Sequence, residues 1–149
     1  MRHVVVPTLA LIICRGKHVV ADLVPGDQVQ GYDYRNRRIG MATLTAINRV
    51  EAAKEVLLPI EHYKMIHFTR ETVGLTPAGS EKTLVETRQY IGYCHENPGK
   101  LLTRNFSPAI DQAKLTEFVD GLATTEAVEL QWEWPEYIWF EGILVGTAL

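Results

Sequence analysis

Cysteine is scarce in this chain of 149 residues: Cys14 and Cys94 are the two it has. Two thiols cannot build the multi-bridge framework of a small secreted domain, so the fold has to rest on a hydrophobic core. The sequence leaves open whether they form one bridge or stay free, and each reads as a small buried hydrophobe. Long apolar runs are missing too. A membrane-crossing helix needs about 20 apolar residues, and the longest candidate, Val4 to Cys14, has 11. With Met1-Arg2-His3 ahead of it, this run imitates a signal peptide, but Arg15-Gly16-Lys17-His18 follows where a small-residue cleavage site belongs. It is expected to be a β-branched core strand, and neither signal peptide nor membrane span is expected.

Charge of one sign is also lacking. Fifteen basic and 18 acidic side chains leave a net charge of −3 with no basic block, so no nucleic-acid partner is expected. No Gly-rich loop precedes a helix, which excludes a phosphate cradle of the usual kind. The five histidines lack ligand spacing. His62 and His67 fall in a predicted strand and point to opposite faces, while His95 adjoins Cys94 without the spaced partners of a zinc site. Neither metal nor cofactor is expected.

What remains is an ordinary globular composition, 46% hydrophobic and 22% charged. A chain of this length can bury roughly 68–70% of its unfolded surface, and one domain over residues 1–149 is expected. Turns and short strands dominate the pattern. In Val24-Pro25-Gly26-Asp27, Pro25 presets φ and Gly26 supplies a positive φ, the chemistry of a type II turn. Tyr34 to Gly40 reads as a polar hairpin tip, Met41 to Val50 as a strand, and Glu51 to Glu55 as a polar break. Val56 to Phe68 alternates, with Pro59 marking an edge or bulge, and Glu71 to Thr76 reads as a short strand. The clearest strand runs from Ala127 to Trp134, with Val128, Leu130, Trp132 and Trp134 on one face. Tyr137 to Val145 reads as a final apolar strand. One helix is predicted over 107–121, with Ser107 as N-cap, Pro108 at the first position and Leu115, Phe118, Val119 and Leu122 along one face.

Several blocks in order resemble the hedgehog/intein family, the Hint domains. Asp22-Leu23-Val24-Pro25-Gly26-Asp27-Gln28-Val29 looks like the block after the family's first strands. Val73-Gly74-Leu75-Thr76-Pro77 looks like the strand that delivers a Thr-x-x-His motif, and Val128 to Glu133 with Gly142 to Val145 looks like the closing blocks. The resemblance implies a mainly β, curved-sheet fold with pseudo-twofold symmetry and one short helix. It also implies a chemistry: a Cys or Ser at the first position attacks the preceding carbonyl, the motif His protonates the leaving nitrogen, and a terminal Asn cyclises.

This sequence departs from that pattern at nearly every step. The nucleophile position falls at Arg2 or His3. Thr76 matches the motif Thr, but Gly79 stands at the His position, Glu129 at an Asp position, and Gly146-Thr147 at the terminal His-Asn. The expectation is therefore a non-processing Hint-like module with a structural or protein-docking role, in a phage or mobile-element protein, cytoplasmic or virion-associated. The rival is a self-processing domain that uses Cys14 or Thr8 as nucleophile, with Thr76 and His67 or His95 in support. A third reading, a β-barrel binding module, would line a groove with Trp134, Tyr137 and Trp139, although alternating strand aromatics are more often core.

Overall fold

The computed structural model describes residues 1–57, 66–87, 89–93, 97, 100–105 and 124–149. Among these, fourteen strands and one short 3-10 turn (Val20–Asp22) account for the regular structure. The strands are β1 (Arg2–Pro7), β2 (Leu11–Cys14), β3 (Lys17–Val19), β4 (Gln28–Asp33), β5 (Arg38–Leu57), β6 (Ile66–Thr69) and β7 (Val73–Leu75). They continue with β8 (Glu81–Thr83), β9 (Gln89–Tyr93), β10 (Leu101–Asn105), β11 (Thr124–Trp132), β12 (Tyr137–Phe140), β13 (Ile143–Val145) and β14 (Thr147–Ala148). The mainly β expectation holds. The helix predicted over 107–121 lies outside the described residues, as do His62, Pro59, Cys94 and His95.

The spine is β5, which runs unbroken for 20 residues. Arg38 to Thr43 pairs with β4, Leu44 to Ala53 with β11, and Lys54 to Leu57 with β6. The polar break expected at Glu51 to Glu55 is therefore absent. Partners on the neighbouring strands, Glu126 opposite Glu51 and Thr69 opposite Lys54, supply a continuous ladder that overrides the weak β-propensity of Ala, Lys and Glu.

Two other predicted strands divide. The first apolar run breaks after Pro7, which carries no N–H for a ladder, and Ala10 N–H closes the turn on the Pro7 carbonyl at 3.2 Å. β1 then pairs with β11 and β14, while β2 crosses to β3, β4 and β12. The last run breaks at Glu141-Gly142, where φ is 51° and 81°. Two consecutive positive φ values make the tight turn that matches the twist of a hairpin. The turn expected at Val24 to Asp27 is present: Gly26 has φ 95° and Asp27 N–H donates to the Val24 carbonyl at 3.1 Å.

The β12–β13 hairpin feeds two cores by the strand's period of two. Ile138, Phe140, Ile143 and Val145 join Val4, Leu44, Leu130 and Trp132 on one side. Tyr137, Trp139 and Leu144 join Tyr32, Leu75 and Ile91 on the other. Trp132 and Trp139 are buried, as expected of strand aromatics, whereas Trp134 is 47% exposed. Trp134 lies on the bend after β11, its ring covering Gly40, where an added Cβ would stand 2.6 Å from the indole. The aromatic groove of the binding-module reading therefore does not form, because two of its three side chains are core. No helix among the described residues is long and apolar enough to cross a membrane.

Candidate functional site at the chain termini

The two ends of the chain are neighbours in the sheet. Arg2 pairs with Ala148 and His3 with Thr147, and Leu149 N–H donates to the Met1 carbonyl at 3.1 Å. The turn after β7 is carried to the same place. Val145 of β13 pairs with Gly74 of β7, and Gly146 N–H donates to the Val73 carbonyl at 2.9 Å. Thr76 is buried, and its hydroxyl lies 2.7 Å from that of Ser80, closing a turn in which Gly79 N–H donates to the Thr76 carbonyl. Gly79 has φ +83°.

Glu81, the first residue of β8, is the hub of this junction. Arg2 Nη2 donates to Glu81 Oε2 at 2.8 Å, Tyr137 Oη donates to the same oxygen at 3.1 Å, and Thr147 Oγ1 donates to Oε1 at 3.2 Å. Arg2 Nε also donates to the Glu136 carbonyl at 2.8 Å, and the guanidinium lies 5.1 Å over the Tyr137 ring. Both members of the ion pair are mostly sheltered, with side chains 16% and 25% exposed. Burial first, and the Glu81 carboxylate second, push the Tyr137 phenol up to about 12. It therefore stays protonated at neutral pH and serves as a donor. An open cleft of about 570 Å³, lined by Thr76, Ser80, Lys82 and Gln89 among others, lies beside the turn.

The sequence-predicted positions divide between two places. Thr76, Gly79, Gly146 and Thr147 gather at this junction. Glu129 does not join them. It follows Val128 on the other face of β11, where its carboxylate lies 3.1 Å from His3 Nδ1 and accepts from Gln131 Nε2 at 2.7 Å and Asn48 Nδ2 at 3.3 Å. The Gln131 hydrogen bond, then those from Asn48 and His3, hold its carboxyl below the usual range against the opposing effect of burial. Arg2 and His3, adjacent on β1, point to opposite faces, so the imidazole joins Glu129 and the guanidinium joins Glu81.

Cys14 sits elsewhere, at the end of β2 opposite Lys17 and Val29, and is a half-buried free thiol. Burial, and then Asp27, push its thiol up. Thr8 donates to the Glu126 carbonyl, and His67 lies in β6 opposite Val56. Sequence reasoning missed Glu81, and it assigned Tyr137 to an aromatic groove and not to this junction. Their partners are 79 and 56 residues away, so no spacing announces them. The available signal was an acid directly after the Thr76–Ser80 turn and an arginine at the start of β1. No cluster of three or more His, Cys, Asp or Glu residues suited to a metal forms among the described residues.

A curved sheet whose ends meet beside a turn delivered by β7 defines the intein-like, or Hint, fold. The DnaB intein from Synechocystis sp. PCC 6803 is similar, with a TM-score of 0.74 at 15% identity over 100% of both chains. The DnaX mini intein from Spirulina platensis gives 0.69 at 12% identity, covering 95% of this chain and 98% of its own. A bacterial intein-like domain from Clostridium thermocellum gives 0.66 at 11% identity, covering 99% of each. No protein-family model matches the sequence, and no curated protein matches it.

Proposed function

We propose that this protein is a non-processing Hint-like module, one unit over residues 1–149, that acts as a structural or docking element for a protein partner. The observation that carries this reading is what stands where the two chain ends meet. Amide-to-ester rearrangement needs a thiol or hydroxyl poised at the first strand and an acid to protonate the leaving nitrogen. In its place are a guanidinium and a carboxylate locked to each other and to Tyr137 and Thr147. The backbone at Gly79 supports the same reading. Its φ of +83° lies in the left-handed region that favours glycine over residues with a side chain. Neither Gly146 nor Thr147 offers a side-chain amide to cyclise.

The self-processing alternative has little support from Cys14. A thiol pushed up by burial is mostly protonated at neutral pH, and the thiolate is the nucleophile. The setting we propose is a phage or mobile-element protein, in the cytoplasm or carried in a virion. The test is intact-mass analysis of the protein fused to a short peptide at each end, incubated with dithiothreitol or hydroxylamine. A single species at full mass is expected, identical for Cys14→Ala. Release of either flanking peptide refutes the reading, and its loss in Cys14→Ala would establish the alternative.

A further inference from the structure

The β4–β5 hairpin carries a feature that the terminal junction does not use. Its tip, Tyr34-Arg35-Asn36-Arg37, is closed by the Asp33–Arg38 pair. Arg35 and Arg37 are exposed, and neither takes part in any of the described ion pairs. Arg38 is 66% exposed and meets Asp33 at 3.5 Å. Three guanidiniums within four residues thus stand out from a chain whose net charge is −3.

The tip is held rigidly. Asp33 is 1% exposed; its Oδ1 accepts Asn36 N–H at 3.2 Å and its Oδ2 accepts Asn36 Nδ2 at 2.7 Å. Tyr34 N–H donates to Glu136 Oε2 at 2.9 Å, and the Tyr34 ring packs edge-on against Tyr137 at 6.2 Å. Arg37 has φ 53°, a conformation in which Gly or Asn costs less than a long side chain. Backbone strain of this kind persists where the surroundings impose it and concentrates at ligand-contacting positions.

Resting on the reading of a non-processing docking module, we propose that the tip from Tyr34 to Arg38 is a docking finger for a short acidic segment of a partner protein. The guanidinium fork matches a carboxylate with two parallel hydrogen bonds, and a fixed backbone lowers the ordering cost of forming them. The charge pattern favours a short acidic peptide over a nucleic acid. A nucleic-acid backbone is a continuous row of phosphates that needs an extended basic track. Here the basic tip is short and is bounded by Glu136, whose carboxylate accepts the Tyr34 N–H.

The test is fluorescence anisotropy with a labelled ten-residue poly-glutamate peptide and a labelled ten-nucleotide single strand, each titrated with the full chain. The peptide is expected to bind more tightly than the oligonucleotide and to weaken as salt rises. The double variant Arg35→Glu/Arg37→Glu is expected to lose at least about tenfold, while the charge-matched control Arg15→Glu/Lys100→Glu stays within about twofold. Absence of peptide binding, equal loss in both double variants, or tighter binding of the oligonucleotide would overturn the proposal. Circular dichroism melts of both variants establish that folding is kept. Because neither variant touches the terminal junction, failure here leaves the intact-mass result unchanged, and a released fragment there leaves this one unchanged.

Discussion

Gly26 and Arg37 occupy the turns on either side of β4, and both have a positive φ with opposite consequences. At Gly26 nothing lies within 4 Å of an added Cβ, so a side chain there meets backbone strain and no clash. Gly26→Val is expected to lower stability by about 1–3 kcal/mol in thermal melts, since a β-branched residue resists that conformation. Arg37→Gly is expected to leave stability unchanged or raise it by about 1 kcal/mol, because relief of the left-handed strain roughly offsets the greater chain entropy of glycine. Loss of stability in Arg37→Gly would mean that the guanidinium holds the hairpin together. Glu129 sets a pH dependence. Its folded carboxyl titrates below the unfolded value of about 4.3, so its contribution is present above that pH and is lost as acid approaches the folded value. Glu129→Gln is expected to flatten the acid limb of melting temperature against pH below about 4.3. Parallel limbs in the two proteins would show that the hydrogen bonds from Gln131, Asn48 and His3 contribute no stability.

At the scale of elements, Glu81 ties β8 to β1, β12 and β14 through one carboxylate. Glu81→Ala leaves the sheltered Arg2 guanidinium and the Tyr137 hydroxyl without their acceptor, a loss of about 1–3 kcal/mol. Glu81→Gln keeps an acceptor oxygen and is expected to lose less. Hydrogen exchange should locate the effect: the Leu149 amide, bonded to the Met1 carbonyl, is expected to exchange faster in Glu81→Ala than in the parent. Unchanged exchange would mean that the backbone pairing of β1 with β14 holds without the network. The elements also show why patterns misled at their joints. β5 crosses Glu51 to Glu55 because both neighbours pair with it there. The run from Tyr137 to Val145 reads as one strand because Tyr137 to Phe140 and Ile143 to Val145 all enter one or other core, and only Glu141-Gly142 marks the reversal.

For the whole molecule, adjacency of the ends has a measurable consequence. Joining Leu149 to Met1 through a short Gly-Ser linker closes a loop that the sheet already closes, so it removes entropy from the unfolded chain with little strain in the folded one. The cyclised protein is expected to be more stable by about 2–4 kcal/mol, read as a higher melting temperature. A lower melting temperature would contradict the pairing of β1 with β14.

What the sequence by itself determined was local. The Pro25-Gly26 turn and the alternation of Val128, Leu130 and Trp132 depend on residues within a few positions of each other, and periodicity reports such relations directly. Which residues stand at the positions of the family pattern, Arg2 or His3, Gly79, Gly146 and Thr147, is likewise read from the sequence alone, because a residue's identity needs no coordinates. The tertiary structure alone decided where the strands divide and which charges meet. The Arg2–Glu81 and Tyr137–Glu81 bonds join residues 79 and 56 positions apart, and the separation of Glu129 from Thr76 depends on which face of β11 the sheet buries. Those relations are set by strand register, which sequence spacing does not encode.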